Sequence, residues 1–133
     1  MFTTFDAPSG ESCIARRNRS NSPLQALTLL NDNMLIEIAQ HAGRKAFETE
    51  TLESTADAVS DLFRRTLVRN PTQSEQQAIE MFLVQQKNDF STNKKAAAKF
   101  LNQEAEDDNT AAVAAWTAVA RAVFSLDEAL TRP

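Results

Sequence analysis

From Ser22 onward, apolar residues return every three or four positions, and polar residues with helix-capping chemistry stand at the joints. Ser22, Pro23 and Gln25 form the first joint, a capping box with proline at the first helical position. Leu24, Leu27 and Leu30 follow on one side. Asp32 can cap a second helix, from about Asn33 to Phe47, whose buried stripe is read as Met34, Leu35, Ile38, Ala42 and Phe47. The acidic run 48–53 reads as a loop. Ser54 and Asp57 repeat the capping-box spacing, and Val59, Leu62, Phe63, Thr66 and Leu67 keep a 3.6-residue period until Asn70 and Pro71 end the helix. Within it, aspartates come early and Arg64, Arg65 and Arg69 come late, which suits the helix dipole and assigns these arginines a structural part. Thr72 and Glu75 open a further helix through Ala78, Ile79, Phe82, Leu83 and Phe90. A break at 91–93 separates it from a short helix at 94–101. After the acidic stretch 104–108, a last helix is expected from Thr110 to Leu130. Val113, Trp116, Thr117, Ala120, Val123, Phe124 and Asp127 share one face of it, with Trp116 as the large core anchor.

Residues 1–21 lack this periodicity. Pro8, Ser9 and Gly10 mark a turn, and Phe2, Phe5 and Ile14 stand as isolated apolar anchors. The expected organisation is therefore an extended arm over 1–21 and a helical domain over 22–133, all-α, with four or five helices in a bundle-like arrangement.

Composition changes that picture little. The 133 residues suit one domain with one core, and two glycines and no tyrosine favour helix over sheet. A net charge of −4 argues against a general nucleic-acid or anionic-membrane binder. No charged-then-apolar leader opens the sequence, and the uncharged run from Asn109 to Ala120 is too short to span a bilayer. A lone cysteine, Cys13, makes no internal disulfide.

Candidate chemistry is sparse. Arg16, Arg17 and Arg19 form the tightest cationic group. They either pair with carboxylates such as Asp6 and Glu11 or cap helix C-termini, or they offer guanidinium forks to a sulfate, phosphate or carboxylated ligand. His41, between Glu37 and Lys45, reads as a surface histidine rather than a ligand. Neither a catalytic triad-like constellation nor a cofactor motif stands out, and His41 with Cys13 cannot fill a tetrahedral metal site. No cofactor is expected.

Three stretches carry a family resemblance: FDAPSGESCIARRNRSNSPLQALTLLND from Phe5 to Asp32, LFRRTLVRNPTQSE from Leu62 to Glu75, and AAWTAVARAVFSLDEALTR from Ala114 to Arg132. Together they closely resemble a planctomycete-type domain of unknown function, the PSD-type domain. That resemblance implies a place at the C-terminal end of large proteins, many of which carry cytochrome-c-like (PSCyt-type) domains, and hints at an exported or envelope-associated parent. The chain departs from the family pattern at Asn33, where proline is common, and Met1 falls where relatives have internal sequence. The haem-attachment pattern C-x-x-C-H is absent from the sequence, so no electron-transfer role carries over.

The functional expectation is a non-catalytic helical module of a larger protein, serving assembly or docking. Its partners would be upstream domains of the parent or a second copy, with a homodimer exchanged through the N-terminal arm as one form. The competing expectation is a partial anion- or substrate-binding site of an enzyme, using Arg16, Arg17 and Arg19 and completed by upstream residues.

Overall fold

The structure, a computed structural model, describes residues 32–104 and 107–130, without the side chains at 127 and 130. The expected first helix, with Leu24, Leu27 and Leu30, and the arm with its arginines lie outside the described residues. All regular structure among the described residues is helical: α1 Asn33–Leu52, α2 Thr55–Leu67, α3 Gln73–Thr92, α4 Lys94–Leu101, α5 Asp108–Phe124 and the single turn α6 Asp127–Leu130.

The helix starts follow the capping chemistry. Asp32 Oδ1 accepts from the Met34 and Leu35 amides at 3.0 and 3.3 Å, and Ser54 Oγ accepts from the Asp57 amide at 3.1 Å. Only the Thr72–Glu75 box closes in both directions among the described residues: Thr72 Oγ1 accepts the Glu75 amide, and Glu75 Oε2 accepts the Thr72 amide. At Ser54 the reciprocal bond is absent, because the Asp57 carboxylate instead accepts the Ser54 hydroxyl. Asn93 and Asp107, at the expected breaks, cap α4 and α5.

The bundle is built around α5, which packs against α1, α3 and α4 and also touches α2 and α6. Its burial is not confined to one face. Ala111, Ala114, Ala115, Trp116, Thr117, Val119, Ala120 and Val123 are all buried, while the expected face residues Val113 and Phe124 are only partly so. A helix surrounded on several sides is apolar all round, and its alanines let neighbours come close from each direction.

This crowding also moves the buried stripe of α1. Met34 and Ile38 are 59% and 46% exposed, and the buried positions are Ala39, Gly43 and Ala46, flanked by half-buried Ala42 and Phe47. The crossing with α5 selects the smallest residues: a Cβ on Gly43 would lie 2.5–2.8 Å from Oγ1, N and Cα of Thr117. On α3, Leu83 is buried and Ile79, Phe82 and Phe90 half-buried, but Ala78 is exposed.

Two boundaries also differ from the sequence reading. The run 48–53 is not a loop, since α1 continues to Leu52, held by the tertiary bonds of Glu50 described below. The last helix stops at Phe124 rather than Leu130. There the Ser125 hydroxyl bonds back to the Arg121 carbonyl at 2.9 Å, and Ser125 and Leu126 amides turn to the Ala122 and Val123 carbonyls. Val68, which ends α2, holds a left-handed backbone at φ 60° and ψ 27°, unusual for a β-branched residue.

Candidate functional site

Arg16, Arg17 and Arg19 lie outside the described residues, so the structure does not place the one cationic cluster singled out from sequence. Two polar centres do appear, and both join helices.

The first is Glu50, in the last turns of α1. Lys87 Nζ from α3 donates to both of its oxygens at 2.7 Å. Trp116 Nε1 from α5 donates at 2.8 Å, and the Thr55 hydroxyl, which opens α2, at 2.7 Å. Burial pushes the Glu50 carboxyl up, but the hydrogen bonds from Lys87, Trp116 and Thr55 and the Lys87 charge outweigh it, leaving the group below its ordinary value. A carboxylate so occupied is a poor proton acceptor. It serves as a four-helix tie and as the partner that the buried indole requires. Sequence reading placed Glu50 in a loop. The signal that could have found it was Trp116, whose N–H needs an acceptor once buried.

The second is Arg69, just past α2. Its guanidinium donates to Glu75 at 2.7 and 2.9 Å, to Glu128 at 2.7–3.0 Å and to the Asn70 carbonyl at 3.0 Å. It also sits over the Phe63 ring, 5.5 Å from the centroid. All five N–H groups point at these acceptors, so the fork has none left for a ligand. Hydrogen bonds from Arg69 first, and then from the Thr72 amide, hold the Glu75 carboxyl down at about 2. The structural part expected for Arg69 is thus realised, as is the Asp61–Arg65 pair at 2.6 Å.

Among the described residues, a groove of about 800 Å³ lies between α1, α2 and the end of α5. Leu35, Ile38, Ala42 and Phe124 form its apolar floor, and Ala129 of α6 adjoins it. His41, Arg44, Lys45, Glu48 and Arg65 stand on the rim. Lys45 pairs with Glu48 at 3.1 Å, an exposed contact. His41, exposed as the sequence reading expects, stands on this rim. A smaller apolar patch, Met81 and Val84 at 69% and 59% exposure, lies on α3 beside Gln77 and Glu80.

Among the described residues no three His, Cys, Asp or Glu side chains gather as metal ligands, and no helix is long and apolar enough to cross a membrane. No curated protein and no solved structure matches the chain. One family does, through a match that spans residues 1–83 and so takes in the first two resembling stretches, but not the third at Ala114–Arg132. By that match the chain belongs to PSD1, a family of proteins of unknown function (DUF1553).

Proposed function

We propose that the chain is a non-catalytic helical module, the C-terminal part of a larger protein, that serves assembly or docking. The observation that supports this most is the α1–α2–α5 groove, with Leu35, Ile38, Ala42 and Phe124 as floor and a charged rim. An apolar floor inside a polar rim is the form in which a protein surface receives hydrophobic side chains of another polypeptide stretch. Two heavily bonded ionic centres, Glu50 and Arg69, are committed to holding helices together. A photoreactive amino acid in place of Ile38, in the purified full chain, tests the reading. It expects irradiation to give adducts with polypeptide, within the chain or with a second copy. Solvent-quenched product alone would overturn it.

The second reading is an anion or substrate site completed by Arg16, Arg17 and Arg19. It gains one observation: Arg44, Lys45 and Arg65 outnumber Glu48 on the groove rim. It expects inorganic phosphate to shift the His41 proton resonances, and Arg16→Gln, Arg17→Gln and Arg19→Gln together to abolish that shift.

A further inference from the structure

We infer that the groove receives the outer face of α3 from a second copy of this chain, with Met81 and Val84 seated on its apolar floor. The inference rests on the docking reading and names its occupant. Leu83 is the buried residue of α3, and Ile79, Phe82 and Phe90 lie half-buried beside it. At about 3.6 residues per turn, Gln77, Met81, Val84 and Asn88 fall on the opposite side, and all four are exposed. Their spacing of four, three and four is that of a seam by which one helix packs on another. No charged residue interrupts the seam.

Length and charge both fit. The groove follows α1 from Leu35 to Glu48, about 20 Å of helix, and the seam from Gln77 to Asn88 needs about 17 Å. Glu80 flanks the seam on one side and Asp89 on the other, and neither stands in an ion pair among the described residues. Glu80 accepts from the neutral Gln76 amide at 3.0 Å, which leaves its charge uncompensated. The groove answers with Arg44 and Lys45 on its α1 wall and Arg65 on its α2 wall. Glu48 and Asp61 hold Lys45 and Arg65 only through exposed contacts, and Arg44 has no partner among the described residues. The two carboxylates of a seated α3 therefore meet cations on both walls, and that complementarity selects α3 as the occupant. Groove and seam are different surfaces of one chain, so the contact is heterologous. Each bound copy keeps a free groove at one end and a free seam at the other, and association grows as a row of copies or closes into a ring.

Sedimentation velocity of the full chain, from micromolar to millimolar concentration, tests the inference with one variant for each surface: Ile38→Asp in the groove and Met81→Asp on the seam. The parent should sediment faster as its concentration rises, and each variant alone should stay a monomer. An equimolar mixture of the two variants should recover a dimer and nothing larger, because it holds one intact groove and one intact seam. A parent that is monomeric throughout would overturn the inference, and the Ile38 photoadduct would then show separately whether the docking reading falls too. Met81→Asp associating like the parent, or a mixture that stays monomeric beside an associating parent, would also overturn it. Should either variant fail to fold, Glu80→Lys with Asp89→Lys serves instead. That reversal should weaken self-association at least about tenfold, and undiminished association would refute the seat.

Discussion

Gly43→Ala puts the central helix crossing to the test. In an isolated helix this change stabilises by about 1 kcal/mol, because alanine loses less backbone freedom than glycine. Here the new methyl would meet Thr117 Oγ1 at 2.5 Å, its amide nitrogen at 2.6 Å and its Cα at 2.8 Å. Carbon contacts relax only near about 3.5–4.0 Å, so α1 must retreat from α5 by roughly 1 Å. Two of the three obstacles are backbone, and no rotamer change removes them. A retreat of that size forfeits a quarter to a half of each close contact along the crossing, and overpacking of this kind costs about 1–3 kcal/mol. With the upper end of that range set against the propensity gain, the expected net loss is about 2 kcal/mol. Urea denaturation of the full chain measures it. Ala78→Gly, at an exposed site in α3, supplies the reference and should lose about 1 kcal/mol through propensity alone. A Gly43→Ala protein as stable as the parent, or more so, would refute the close approach of α1 and α5.

Trp116→Ala, at 0% exposure, should cost about 3–5 kcal/mol in chemical denaturation, whereas Trp116→Phe, which chiefly strips a hydrogen bond from Glu50, should cost about 1–3 kcal/mol. Phe63→Ala should fall in the same range as Trp116→Ala, since Phe63 is buried in the same cluster. Val68→Gly should stabilise by about 1 kcal/mol, read as a raised urea midpoint, because it removes a side chain from a left-handed backbone. Glu75 titrates at about 2 in the folded state against an ordinary 4.5, so on acidification the unfolded chain takes up its proton first. Its contribution is complete above pH 4.5 and is lost as pH falls toward 2, and Glu75→Gln should flatten that part of the stability–pH curve.

Much of the fold was written locally. Capping at Asp32, Ser54 and Thr72, a break before Lys94 (confined to Asn93 rather than 91–93), and the period of Val59, Leu62 and Phe63 depend on residues within a few positions of one another, and the structure keeps them. Asp61–Arg65 and the buried Trp116 were legible for the same reason. The family, too, was legible in the motifs before and within α2. The rest depends on partners far away in sequence. Periodicity marks an apolar face but not how closely a neighbour approaches it, so the α1 stripe was read through Met34 and Ile38 when α5 selects Ala39, Gly43 and Ala46. The run of acidic residues suggested a loop at 48–53, and the bonds from Lys87 and Trp116 to Glu50 keep it helical as far as Leu52. The groove belongs to the same class, for its floor combines Leu35 and Ile38 with Phe124, which is distant in sequence and comes near only when α5 lies across α1. Local hydrogen bonding and hydrophobic period are properties of a short stretch of chain, whereas burial is a property of what packs against it, and only the tertiary structure supplies that.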